Sequence, residues 1–104
     1  MKQFPPLRRI VASSRAGAHC GIPSYCTAHP HTLRAIFRAC RDSSGPVLIE
    51  ATCNQVNQDG GYTGMRPADF RVFAHGLAQE AGIEPDRLIL GGDHLGPNPW
   101  KGLP

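Results

Sequence analysis

Leu88-Ile89-Leu90-Gly91-Gly92-Asp93-His94-Leu95-Gly96-Pro97-Asn98 is the stretch on which the fold turns. Leu88, Ile89 and Leu90 read as a short buried strand, and the two glycines let the backbone turn freely after it. An acid and an imidazole come directly after them. In parallel α/β sheets, ligands and chemistry collect where strands end at their carboxyl side. Asp93 is therefore a candidate proton-transfer group and His94 a candidate metal ligand. The plainer alternative has Asp93 capping a turn and His94 hydrogen-bonding a loop.

Upstream, two periodicities alternate. Leu7 to Ser14 suits a leading helix that ends near Gly17, within a leader segment 1–20. Gly21 to Cys26 reads as a first strand, in which Pro23 limits pairing. Pro30 suits the first position of a helix. Leu33, Ile36, Phe37 and Cys40 then form one apolar stripe, with Arg34, Arg38 and Arg41 on the other side. Val47-Leu48-Ile49 is a continuous apolar strand of the kind buried in parallel sheets. Pro67 opens a further helix with the stripe Phe70, Phe73, Ala74, Leu77 and Ala81, and Gly82 stands where a helix cap belongs.

A helix followed by β-α-β-α-β implies a parallel sheet with right-handed crossovers. Three strands and two covering helices leave an open edge and an uncovered face. A complete (β/α)8 barrel needs about 200 residues or more, whereas this chain has 104. The predicted fold class is thus α/β, with residues 21–104 forming about the first three β/α units of a TIM barrel. An open sheet completed by dimerisation is the runner-up.

The formal charge of +3 comes from scattered basic residues with few aromatics among them, so nucleic-acid binding is poorly supported. No apolar run approaches the ~20 residues of a membrane span, and Ile10-Val11-Ala12 is too short for a signal-peptide core. A cytoplasmic protein with reduced cysteines is expected. His19, Cys20, Cys26, His29 and His31 are dense in potential zinc ligands, but their spacing fits no familiar finger.

Every predicted strand ends in polar groups: Thr27 and His29 after the first, Glu50, Thr52, Asn54 and Gln55 after the second, Asp93, His94 and Asn98 after the third. Glu50, next to an apolar strand, needs an arginine partner, a metal or a catalytic use to offset burial. The loop from Asn54 to Met65 is rich in amides and glycines. Gly60, Gly61 and Gly64 permit positive φ, so backbone amides could converge on the phosphate of a sugar, with Thr63 adding a hydroxyl. The spacing matches neither a P-loop nor a dinucleotide fingerprint, and simple turn formation is the competing explanation.

Ala28-His29-Pro30, Ile49-Glu50-Ala51-Thr52-Cys53-Asn54-Gln55-Val56-Asn57-Gln58, Gly60-Gly61-Tyr62-Thr63-Gly64-Met65, Pro67-Ala68-Asp69-Phe70-Arg71 and Leu90 through Asn98 closely resemble the accessory subunit of D-tagatose bisphosphate aldolase, GatZ/KbaZ type. The resemblance runs from about Gly21 to the end. It implies a TIM barrel of roughly four times this length and a non-catalytic subunit supporting a class II, zinc-dependent aldolase in carbohydrate catabolism. It further implies that Asp93 corresponds to a proton donor and His94 to a zinc ligand, the remaining ligands lying outside this chain. Glu50, Asn54, Gln55, Gly60, Gly61, Thr63 and Asn98 are the expected substrate-binding set. A metal-dependent aldolase or ketose epimerase, active in its own right at full length, is the alternative. Two departures from the family pattern stand out: Arg66 replaces an N-capping Thr before Pro67, and Cys53 replaces a more usual Ser.

Overall fold

In the computed structural model, which describes residues 5–97, Trp100 and Gly102, β2 (Val47–Thr52) is the middle strand of a three-stranded parallel sheet. β1 (Ser24–Cys26) pairs with one side of it and β3 (Leu88–Asp93) with the other. Helices α1 (Pro5–Arg15), α2 (Pro30–Cys40) and α3 (Pro67–Glu80) and a 3-10 turn, Pro85–Arg87, complete the order. The sequence reading agrees with this order and differs at two strand boundaries. β1 is three residues long instead of six, because Pro23 has no amide to donate to the ladder. β3 runs through both glycines, which pair with Glu50 and Ala51 instead of turning the chain. Asp93 is therefore the last strand residue and lies opposite Thr52.

Alternation along β2 divides the sheet into two faces. Val47, Ile49 and Ala51 are buried in one core with Leu33 and Phe37 of α2 and with Phe70, Ala74, Leu77 and Ala78 of α3. Both crossover helices thus cover the same face. Leu48, Glu50 and Thr52 point to the other face and remain half-buried. Both apolar stripes read from the sequence are the stripes that pack, with Ala78 as an unforeseen addition.

The helix ends explain why the elements stop where they do. At α3, Gly82 has φ +84°, and the amides of Gly82 and Ile83 donate to Gln79 and Ala78. This is a Schellman closure. α1 ends the same way at Gly17, φ +95°. At the start of α3 the Arg66 amide donates to Asp69 Oδ2 at 3.0 Å. A guanidinium has no acceptor to return, so only half of a capping box is made. The end of α2 is closed from a distance: Arg87 donates to the carbonyls of Cys40 at 2.8 Å and Gly45 at 2.9 Å, with a longer contact of 3.4 Å to Arg41. A cation there also suits the helix dipole.

α1 is differently placed. Leu7 and Val11 are exposed, and the helix is tied to the segment beyond it by the Cys20 thiol, which donates to the Ile10 carbonyl at 3.5 Å. Among the described residues, no helix is long and apolar enough to cross a membrane. All four cysteines are free thiols.

His75, one turn beyond Arg71 on α3, is half-buried. Burial first, and the Arg71 charge second, hold its imidazole below the ordinary value of 6.5. The unfolded chain therefore binds this proton more readily. Stability from neutral His75 is complete above about 6.5 and is lost as pH falls through the lower folded value. His75→Gln is expected to flatten the decline in denaturant midpoint between about pH 7 and 5. Titration of both proteins in urea at several pH values checks this.

Candidate functional site

The carboxyl ends of the three strands place Cys26, Glu50, Thr52 and Asp93 on the uncovered face. Register aligns Cys26 with Glu50 and Glu50 with Gly91. Gly91 has no side chain, and the Glu50 stem lies over it: a Cβ there would sit 3.6 Å from Glu50 Cγ. The gap leaves Cys26, Glu50 and Asp93 sharing one polar patch. Among the described residues no lysine or arginine pairs with Glu50, so the arginine partner that would explain its position structurally is not found there.

Asp93 and His94 form a pair, with Nδ1 of His94 3.0 Å from Oδ2 of Asp93. Asp93 is partly covered, while the His94 side chain is 81% exposed. His94 has φ +52°, the left-handed region, which no other non-glycine among the described residues adopts. Its carbonyl accepts a hydrogen bond from the buried thiol of Cys53 at 3.0 Å.

Cys26 is a site residue that the sequence reading did not single out. Partial desolvation, hydrogen bonding to the Asp93 carboxylate and the charges of Asp93 and Glu50 all raise its thiol above the ordinary thiol value. The thiolate is the reactive form. Iodoacetamide at about pH 8 is therefore expected to modify Cys26 more slowly than Cys20, although both are exposed. Asp93→Asn should narrow the difference, as followed by tandem mass spectrometry. In the sequence Cys26 stood out only as one of a dense set of metal-type ligands and as the end of a strand; the register with Glu50 is what brings it to this patch.

The amide- and glycine-rich loop is ordered from within. Asn57 Nδ2 donates to the Cys53 carbonyl at 2.8 Å, and its Oδ1 accepts from the amides of Asp59 at 2.8 Å and Gly61 at 3.0 Å. Tyr62 and Thr63 donate to the carbonyls of Asn54 and Gln55, Gly60 to Asn57, Gly64 to Gly61, and Met65 to Thr63 Oγ1. The amides that an anion cradle would need are thus already donated, and the turn-forming explanation accounts for the glycines. Gln55 Oε1 accepts from the Thr52 amide, and the Thr63 hydroxyl donates to the Gln55 carbonyl. Asn54 is exposed. Gln55 and Thr63 do line a hollow of about 430 Å³ with Thr27, His29, Tyr62 and Phe73, apart from the Cys26–Glu50–Asp93 patch. Asn98 lies outside the described residues.

For zinc, the described residues supply one well-presented imidazole. No three His, Cys, Asp or Glu side chains among them converge to hold a metal, whereas a catalytic zinc takes three protein ligands. In the dense segment His19 to His31, His29 and His31 pack ring against ring at 5.4 Å, and His29 Nδ1 caps α2 by accepting from the His31 amide.

The family model for D-tagatose-1,6-bisphosphate aldolase subunit GatZ/KbaZ-like proteins matches residues 7–104. The chain belongs to this family. The GatZ subunits of D-tagatose-1,6-bisphosphate aldolase from Salmonella typhimurium and Salmonella paratyphi B are each 55% identical to it over 98 residues. That region is 94% of this chain and 23% of each relative, so the GatZ/KbaZ-like chain spans about a quarter of their length. A solved structure, described as a probable tagatose 6 phosphate kinase from Sinorhizobium meliloti 1021, superposes with a TM-score of 0.76 at 56% identity. The superposition covers 82% of this chain and 22% of that one.

Proposed function

We propose that this GatZ/KbaZ-like chain acts as part of an accessory subunit of a class II tagatose bisphosphate aldolase in carbohydrate catabolism, supporting the catalytic subunit by binding it. The observation that carries this is 55% identity to aldolase subunits across nearly the whole chain. The sequential strand order, with both crossover helices on one face, supports a TIM barrel of which these are the first three β/α units. In that setting the Cys26–Glu50–Asp93 patch faces the barrel interior at its catalytic end. His94 would contribute one zinc ligand, with the others drawn from elsewhere in a longer protein. A sugar phosphate is the substrate class suited to that mouth, and the cytoplasm is the compartment suited to four free thiols.

The test is direct. The purified chain is expected to cleave no tagatose 1,6-bisphosphate, and a full-length family member carrying these residues should prolong the active lifetime of the catalytic subunit at elevated temperature. Cleavage by the chain alone, or an unchanged lifetime with the full-length protein, would overturn the proposal.

A second reading, a metal-dependent aldolase or ketose epimerase active at full length, is favoured by the preformed Asp93–His94 pair. It requires turnover without the partner that falls about 10²–10⁴-fold in Asp93→Asn, the usual share of a general acid or base. Phosphoryl transfer has less support, since the glycine loop has no P-loop spacing and its amides are occupied.

A further inference from the structure

We propose that Cys53 is a positioning residue for the Asp93–His94 pair: its buried thiol, donating to the His94 carbonyl, holds His94 in the left-handed backbone conformation that turns its ring toward Asp93. The inference rests on the reading of Asp93 and His94 as the working pair of this mouth. It adds a residue whose side chain is buried behind the pair.

Successive side chains of a strand point to opposite faces, so an extended His94 would carry its ring away from the Asp93 carboxylate. The φ torsion of residue 94 swings its Cβ relative to residue 93. At φ +52° the ring comes back, and Nδ1 reaches Oδ2 at 3.0 Å. A β-carbon makes that torsion unfavourable, and such residues persist only where their surroundings fix them. The Cys53 thiol, 5% exposed and 3.0 Å from the His94 carbonyl, supplies the fixing contact from the loop that leaves β2.

The chemical consequence lies at the other ring nitrogen. A proton on Nδ1, 3.0 Å from the Asp93 carboxylate, leaves the lone pair of neutral His94 on Nε2, on a side chain open to solvent. A ring oriented in this way presents that lone pair to a cation. Cys53 acts at a distance from that nitrogen, through the backbone alone.

The experiment uses the 104-residue chain, labelled with ¹⁵N-histidine and kept at about pH 8 without metal, substrate or partner. Long-range ¹H–¹⁵N spectra report the His94 tautomer. The Nδ1–H form should predominate in the wild type and in Cys53→Ser, which keeps a donor. In Cys53→Ala its ratio to the Nε2–H form should fall about fivefold, the effect of one net hydrogen bond, while amide protection of β2 and β3 persists. An unchanged ratio in folded Cys53→Ala overturns the proposal. Should Cys53→Ala fail to fold, the wild-type Raman S–H band that disappears in Cys53→Ser decides: a hydrogen-bonded frequency supports the contact, and a free-thiol frequency overturns it. No aldolase assay enters these readouts, so failure of the accessory-subunit reading and failure of this one are seen separately.

Discussion

Phe37→Ala lowers the free energy of unfolding by about 3–5 kcal/mol, as measured by urea denaturation. The ring has no exposed surface, and it belongs to the single cluster that joins α2, α3 and the covered face of β2. Neighbours on three elements meet there, so collapse into the vacated volume is limited and both transfer and cavity terms apply. A domain of this size has roughly 5–15 kcal/mol in all, and both crossover helices pack on one sheet face, leaving the other without a helix from among them. The variant should therefore unfold at a much lower urea midpoint than the wild type. Val72→Ala is the control. Val72 lies on α3 with 75% of its surface exposed, and its loss should change stability by no more than about 0.5 kcal/mol.

Gly61→Ala destabilises by about 3 kcal/mol or more. A Cβ at this position would stand 2.5 Å from the Gln55 carbonyl oxygen and 2.7 Å from that of Asn54. Both are backbone atoms, and φ is +59°, so neither partner can step aside. The same carbonyls accept the amides of Tyr62 and Thr63. Relief of the clash would break those bonds and open the loop at its neck. Gly92→Ala makes the useful comparison: its Cβ would come 2.6 Å from Leu95, but only from side-chain carbons of a residue 71% exposed. Leu95 can rotate into solvent, so this change should cost less than about 1 kcal/mol. Denaturation midpoints and amide exchange at Tyr62 and Thr63 separate the two outcomes. A loss of less than about 1 kcal/mol for Gly61→Ala would show that the loop neck yields.

Much of the architecture was legible because burial imposes period. The Leu33–Phe37 and Phe70–Ala74–Leu77 stripes and the continuous Val47–Ile49 run could belong only to covered helices and a buried strand. Gly91 and Gly92 misled because turn propensity is a local property, whereas their strand conformation is set by pairing with Glu50 and Ala51. At the strand ends, the adjacency of Asp93 and His94 was readable from their place after an apolar run. The left-handed twist at His94, the thiol of Cys53 behind it and the meeting of Cys26 with Asp93 were not. Each depends on register between strands distant in sequence, and none leaves a local pattern. The glycine-rich loop shows the converse. Its composition fits either an anion cradle or a self-contained turn, and Asn57, bonded to three backbone groups, decides for the turn.

The guanidinium of Arg87 has one more consequence. Among the carbonyls it closes is that of Cys40, the last residue of a helix 47 residues earlier. The last turn of α2 is thus complete only when the entry to β3 is in place. Local fraying of that turn and detachment of the third strand become a single opening event, in which neither region exchanges its amides ahead of the other. This small sheet would then come apart at that seam as one block, not helix by helix.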